Sequence, residues 1–392
     1  MKAVAIIFWI GVFIVFYTYI GYGMILYLCV KIKELFHKSE SQKIPEELPE
    51  ITLLIAAYNE EAVIKEKMDN CHQLNYPSEK LKIIWVIDGS DDNTEFLLNA
   101  YKDITVCFKQ ERMGKSAAVN RGMQYVKTPY VAFTDANTML NRDAIIKIVK
   151  LFGDKKIGCV SGEKKVLKNS SHNSASSTES IYWKYESKLK EWDNRLYSVV
   201  GAAGELFAIR THLFLTLPND TLLDDFVLSL RIAMQGYKIA YCKEAYAIEY
   251  ASTNMKEESK RKTRIAAGGL QAIIRLSGLF NIFRYGTLSW QYISHRVLRW
   301  SITPIFLFAL LPLNIILAIG NQESIFYIVI LLLQLLFYFC ALIGFYLAEK
   351  ESKNKFLYIP YYFFFMNLNV FKGAFYLYKN KGKGIWEKAK RI

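Results

Sequence analysis

The stretch Ile51-Thr52-Leu53-Leu54-Ile55-Ala56-Ala57, followed at once by Tyr58-Asn59-Glu60, decides how the first half of this chain folds. An uncharged, mostly apolar run that ends abruptly in polar groups reads as a buried strand. The pattern recurs downstream. Leu81 to Ile87 is a second apolar strand and runs into Asp88-Gly89-Ser90, Asp103 to Phe108 is a third, and Tyr130 to Thr134 is a fourth, leading into Asp135-Ala136-Asn137. Glu60 to Gln73, Lys115 to Val126 and Arg142 to Phe152 carry helical patterns between them. This alternation predicts an α/β domain with a Rossmann-like, mostly parallel sheet over residues 50–250. Such sheets gather ligands at the carboxyl ends of their strands, where Glu60, Asp88 and Asp135 fall.

Each polar patch has its own chemistry. Strand-end carboxylates such as Glu60 and Asp88 can accept hydrogen bonds from a base or ribose, although Asp88-Gly89 is also a turn signal. Arg112-Met113-Gly114-Lys115 lacks the upstream glycine spacing of a P-loop, yet Gly beside Lys at a helix start lets a phosphate approach the helix N-terminus. Asp135 and Asn137, at i and i+2, offer oxygen ligands for a hard cation such as Mg²⁺ or Mn²⁺ that shares substrate phosphate oxygens; a capping turn is the structural alternative. Asp224-Asp225 opens the helical pattern Phe226 to Arg231. One of the pair can cap that helix while the other takes a proton from an attacking hydroxyl.

The rest of the chain points to a bilayer. Of its 392 residues 52% are hydrophobic, and the excess is localised. Residues 1–30 form an N-terminal transmembrane anchor: Ala3 to Val30 carries no charge and is long enough to cross a hydrocarbon core of about 30 Å. Residues 31–49 read as a linker, with a polar connector from Ser39 to Glu50. Ser301 to Gln322 and Ser324 to Ala348, separated by Glu323, predict a transmembrane hairpin over 301–348. Residues 251–300 open with Lys256, Lys260, Arg261, Lys262 and Arg264 and continue through Leu270, Ile273, Ile274, Leu276 and Leu279, the pattern of amphipathic helices in the membrane interface. The third apolar segment, within 349–378, carries Asn367, Asn369 and Lys372, so it either spans or lies in the interface; a basic tail, 379–392, follows. Asn169 to Thr178 reads as a mobile loop. Glu179 to Tyr197 reads as a helix whose Trp183, Tyr185 and Trp192 face either the core or a groove.

The net charge of +14 lies largely beside apolar segments, at Lys31, Lys33, Lys38, Lys43 and the tail, which argues for a membrane surface and against a nucleic-acid module. Six scattered cysteines suit reduced thiols and imply no zinc site.

In this order and with this membrane layout, the patches resemble family 2 glycosyltransferases of the GT-A fold, in the membrane-integrated branch that includes cellulose, hyaluronan, chitin and poly-N-acetylglucosamine synthases. The resemblance implies an inverting transfer from a nucleotide-sugar donor, a UDP-sugar first, to a saccharide acceptor, building β-linked polysaccharide. Tyr58, Glu60 and Asp88 would contact uridine and ribose, and Lys115 would fix the nucleotide. Asp135 and Asn137 stand where the family carries Asp-x-Asp for metal and diphosphate. Gly204 and Glu205 fall in the small-residue segment beneath the acceptor, with Asp224 beside it. Asp225 matches the general base. Arg299 and Trp300 match the end of Gln-x-x-Arg-Trp, Arg toward the diphosphate and Trp toward the acceptor sugar. Two departures stand out: Asn137 replaces a carboxylate, and Arg296 replaces the glutamine, which bears on processive elongation. His295, beside it, is read as structural or phosphate-facing.

Lysines after Val30 place the catalytic domain in the cytoplasm of a bacterial-type plasma or inner membrane. The rival readings are transfer of one sugar to a polyprenyl-phosphate or other lipid-linked acceptor, and a non-catalytic nucleotide-sugar-binding partner in a synthase complex. Accessory export subunits are candidate partners; a pure transporter is the weakest reading.

Overall fold

The computed structural model of the protein describes residues 1–36, 47–167, 174–250, 255–320, 325–349 and 355–380. Among the described residues, eight strands form one sheet: β1 Ile51–Ala57, β2 Leu81–Asp88, β3 Thr105–Lys109, β4 Tyr130–Asp135, β5 Met139–Leu140, β6 Ile157–Leu167, β7 Leu206–Arg210 and β8 Lys238–Tyr250, in the order β3-β2-β1-β4-β7-β6-β8-β5. β1 to β4 form a parallel unit, whereas β7 runs antiparallel to both β4 and β6.

The predicted strand Ile51 to Ala57 is β1, and it shows why the run is continuously apolar. Ile51, Leu53, Ile55 and Ala57 enter the core on one face, with Ile64, Met68 and Trp85, and Leu54 enters the core on the other, with Val86 and Phe207. β1 pairs with β2 on one side and β4 on the other, with Ala57 opposite Ile87 and Ala56 opposite Asp135. Three neighbouring strands therefore end together, and the chain reverses direction across the sheet there, the geometry that opens a ligand crevice.

Boundaries moved where side chains captured the backbone. The helix expected from Glu60 begins at Ile64. Ser90 Oγ, Thr94 Oγ1 and Asp92 Oδ2 accept the N–H groups of Asn59, Glu60 and Glu61 at 3.0, 2.9 and 3.1 Å, and Asn59 adopts a positive φ of 51°, so this segment turns instead. The third strand starts two positions later than expected, at Thr105, and the two later helices are shorter, Lys115–Met123 and Ala144–Leu151. The expected loop at 169–178 is helical from Ser174, the start of helix Ser174–Leu196, and its earlier part lies outside the described residues. Glu323, most of the polar connector with Lys38 and Lys43, and the tail beyond Asn380 lie outside them as well.

Among the described residues, three helices are long and apolar enough to cross a membrane: Lys2–Phe36, Ile302–Gly320 and Ile325–Leu347. The first continues past Val30 into the expected linker, because Lys33 Nζ donates to the carbonyls of Arg195 and Leu196 at 2.8 and 2.7 Å and Glu34 pairs with Arg195. A lysine at the C-terminal carbonyls of a helix satisfies orphan acceptors and the helix dipole.

Helix Met255–Arg275 carries the basic start of segment 251–300, and charges there are paired within the protein. Arg261 and Lys262 are buried, with Glu257 and Glu258, and Arg261 donates to Glu258 at 2.9 and 3.0 Å. The helix is covered by the third C-terminal segment, one helix Lys355–Lys379, whose Asn369 Oδ1 accepts from Ser259 and Thr263 at 2.8 and 3.0 Å. Asn367 and Asn369 of that segment thus face protein, whereas Lys372 is exposed. Exposed apolar groups at the end of helix Met255–Arg275 and just after it include Ile274, Ile282 and Phe283.

Candidate active site

The strand ends open into a crevice of about 430 Å³, within the range of small-molecule sites. Tyr58, Glu60, Asp88, Lys115, Asp135, Asn137, Gly204, Glu205, Asp224, Asp225, Arg299 and Trp300 all line it. The folded chain thus brings every residue expected at the site to one cavity, from segments far apart in the sequence.

At the β1–β2 end, Asp88 is 4% exposed and its Oδ2 accepts the backbone N–H groups of Met113 and Gly114 at 3.0 and 2.7 Å. It therefore shapes the Arg112–Gly114 loop as well as facing the crevice. Gly89, at φ 72°, lies where a Cβ would meet Arg112 Cβ at 2.6 Å, so only glycine lets that loop close. The loop holds the Arg112 guanidinium over the Tyr58 ring, 3.7 Å from its centroid.

In the middle, Lys115 Nζ donates to Asp135 Oδ1 at 2.7 Å and sits 3.9 Å from Asp224 Oδ2. Burial works against its charge, yet Asp135, Asp224 and Asp225 hold its ammonium above the ordinary lysine value. Asp224 and Asp225 open helix Asp224–Met234, and neither caps it: the N-cap position is Leu223, without a side-chain cap. The expectation that one carboxylate is taken up in capping is corrected, because both lie inside the first turn and line the crevice. Burial, then the neighbouring Asp224 charge, pushes the Asp225 carboxyl up to about 7. Gly204 leaves Asp225 room, since a Cβ there would stand 3.0 Å from its Oδ2.

The far wall and the layer behind it hold groups that the sequence pattern did not announce. Lys164, 2% exposed at its side chain, is clamped between Glu205 and Glu249. Burial works the other way, but Lys164 keeps Glu205 far below the usual carboxylate range. Arg299 pairs with Glu186, which also takes Arg296 Nη1 at 3.2 Å and His295 Nε2 at 3.3 Å. Although burial opposes it, the Arg299 and Arg296 guanidinium groups, with His295 beside them, hold Glu186 well below the ordinary carboxylate value. His295 Nδ1 lies 2.7 Å from Asp193 Oδ2 and the ring is 1% exposed, so His295 is structural and faces no ligand. Trp300 lies against Gly269, where a Cβ would approach its ring to 2.4 Å, and makes an edge contact with Phe226. Trp183 lines the crevice, whereas Tyr185 and Trp192 of the same helix pack toward the N-terminal helix, Tyr185 donating to the Tyr19 carbonyl at 2.6 Å. The available signal for Glu186 and Asp193 was their seven-residue spacing on one helix face; nothing local announced their partners.

The pattern described as "Glycosyltransferase like family 2" matches residues 49–268, more than half of the chain. The chain belongs to that family. As a family 2 glycosyltransferase it is 29% identical over 242 residues to a poly-beta-1,6-N-acetyl-D-glucosamine synthase of Staphylococcus aureus, covering 59% of this chain and 57% of the relative. It is 27% identical over 252 residues to a probable glycosyltransferase, YdaM, of Bacillus subtilis, covering 60% and 58%. The matched region thus spans somewhat over half the length of these curated relatives. Among solved structures, the mannosyltransferase PcManGT of Pyrobaculum calidifontis, in complex with GDP-Man and Mn2+, superposes with a TM-score of 0.70 at 21% identity, over 96% of this chain and 99% of the other. That likeness extends the glycosyltransferase fold through the membrane-type helices.

Proposed function

We propose that this enzyme transfers a sugar, with inversion, from a nucleotide-sugar donor, a UDP-sugar first, to a saccharide acceptor at a membrane for synthesis of a β-linked polysaccharide. The observation that carries the reading is the crevice itself, where Asp225, with a carboxyl near 7, shares one cavity with Lys115, Asp135, Asn137, Arg299 and Trp300. The identity of the synthase relatives supports the polysaccharide part.

In this mechanism Tyr58, Glu60 and Asp88 hold the nucleoside. Asp135 and Asn137 offer hard oxygens suited to Mg²⁺ or Mn²⁺. Among the described residues no three His, Cys, Asp or Glu side chains are grouped to hold a metal by themselves, so the donor's phosphate oxygens would complete the coordination. A bound cation supplies charge neutralisation at the departing diphosphate. Lys115 and Arg299 direct positive charge to the same leaving group. Asp225 accepts the acceptor hydroxyl proton as that oxygen attacks the anomeric carbon, and a group titrating near the working pH suits that task. Gly204, Glu205, Asp224 and Trp300 shape the acceptor side.

A catalytic domain bounded at residues 50 and 250 and lying in the cytoplasm belongs to the same proposal. Lys31 and Lys33 after the first apolar run support the sidedness, and exposed Ile274, Ile282 and Phe283 support contact with the interface. One observation favours a second reading, a lipid-linked acceptor: the inner end of the crevice is walled by Tyr19, Met366, Asn367 and Val370, from the N-terminal helix and helix Lys355–Lys379.

The test is nucleotide release by the purified, reconstituted protein across UDP-, GDP- and CDP-sugars with Mn²⁺ or Mg²⁺, with Asp225→Asn beside it and products sized on a gel. Release from one donor class, abolished in Asp225→Asn, supports transfer; a ladder supports polymer and one lipid-soluble band supports the lipid acceptor. Nucleotide binding without release from any donor refutes Asp225-assisted transfer.

A further inference from the structure

The N-terminal helix carries a polar stripe in an otherwise apolar segment, and the stripe is fully employed. Tyr17–Gly21 forms a π-helical turn, and so does Ile293–Val297 just before Arg299. Such single π turns interrupt the helical register and recur at functional sites. The two face each other: Tyr17 Oη lies 2.8 Å from Ser294 Oγ, Trp290 Nε1 donates to Tyr17 Oη at 3.1 Å, and Thr18 Oγ1 lies 2.9 Å from Thr303 Oγ1.

Beyond the turn, Tyr22 is fully buried and donates its hydroxyl to Asp193. Asp193 also takes Gln291 Nε2 at 3.0 Å and His295 Nδ1 at 2.7 Å. The other nitrogen of His295 meets Glu186, and Glu186 holds Arg299. The Arg299 guanidinium further lies 5.8 Å from the Tyr19 ring and 5.9 Å from the Tyr185 ring. Every link is buried, so displacing one leaves its neighbours with unmatched polar groups.

We propose that the N-terminal helix is a working part of the transfer site: Tyr22, through Asp193, His295 and Glu186, positions Arg299 at the crevice. This rests on the transferase reading, with Arg299 facing the donor diphosphate. Tyr22, Asp193, His295 and Glu186 are positioning residues; none is assigned a contact with substrate. A helix that served only as an anchor would need neither the buried tyrosine donor nor the paired π turns.

The experiment is a double-variant cycle in the full-length, reconstituted protein: Tyr22→Phe, Arg299→Lys, both together, and Tyr27→Phe as a control. Tyr27 lies on the same helix, its ring packed on Trp192 at 5.2 Å. Thermal unfolding and size-exclusion profiles normalise rates to folded protein, which removes a purely structural loss. Misplacement of an active-site group by about 1 Å can cost about a hundredfold, so Tyr22→Phe is expected to lower kcat roughly ten- to hundredfold, with Tyr27→Phe unchanged. In the Arg299→Lys background the same change is expected to cost less than about twofold, since residues acting through one group are not additive. An equal loss in both backgrounds, or an unaltered rate in Tyr22→Phe, overturns the proposal. Should the wild type turn over no donor, the transfer reading fails on its own. The cycle is then read as UDP affinity in the presence of Mn²⁺, where the same non-additivity supports positioning and additivity refutes it.

Discussion

The sharpest consequence of the site's electrostatics concerns the acid limb of its pH profile. Asp225 must be ionised to accept a proton, and burial with Asp224 lifts its carboxyl to about 7. Activity at saturating donor should therefore rise with pH through about 7, from roughly one tenth of its plateau at pH 6 to nine tenths at pH 8. Asp224→Asn removes the neighbouring charge that raises Asp225. At an effective dielectric near 20, unit charges on adjacent helix positions, roughly 8 Å apart, repel by about 2 kcal/mol, or about 1.5 pKa units. The midpoint should thus fall toward about 5.5 in Asp224→Asn. Lys115→Met removes a cation that lowers Asp225, so its midpoint should move the opposite way. The assay is nucleotide release at fixed ionic strength from pH 5 to 9, with substrate affinity measured at each end. A midpoint that stays put in both variants would refute the assignment of Asp225 as the titrating base. The same shift has a stability signature. A carboxyl raised in the folded state binds more protons there than when unfolded, so its stabilising effect is lost as pH rises from about 4 to about 7. Asp225→Asn should accordingly melt higher than the wild type at pH 8, and about equally at pH 4.

Three further outcomes follow from other parts of the site. Lys164→Met removes the buried cation clamped between half-buried Glu205 and buried Glu249 and should cost about 3–5 kcal/mol in unfolding experiments; adding Glu249→Gln should recover part of it, and no loss in the single variant would show that Lys164 is dispensable. Gly89→Ala forces a Cβ against Arg112 at a positive φ and should cost about 1–3 kcal/mol, read as a roughly tenfold or greater loss of UDP affinity with the fold retained. Chelation with EDTA should abolish turnover and weaken UDP binding, and Mn²⁺ should restore both; unchanged UDP affinity after chelation would count against Asp135 and Asn137 as metal ligands.

Much of this was legible in one dimension because it depends on local physics. A strand buried on both faces must be apolar throughout, so β1, β2 and β4 were visible within a residue or so, and the polar groups just past them marked the crevice. Helix starts were harder. The turn at Asn59–Val63 depends on Ser90, Asp92 and Thr94, some thirty positions away, and no local periodicity reports such captures.

The sequence alone determined the alternation of apolar runs and polar strand ends, hence an α/β sheet with acidic groups at one edge, and the uncharged lengths that suit a bilayer. Tertiary structure decided how charges pair. The basic start of helix Met255–Arg275 is plain in the sequence, but only the fold shows that Arg261 and Lys262 turn inward, where Glu258 and helix Lys355–Lys379 cover them. Arg299 carries the same motif letter whether free or clamped, and only the folded chain brings Glu186 to it from 113 positions away. Burial of a charge is stable only when a counter-charge arrives. Periodicity along the chain can show that a charged residue will be buried, but its partner is set by which distant elements pack together.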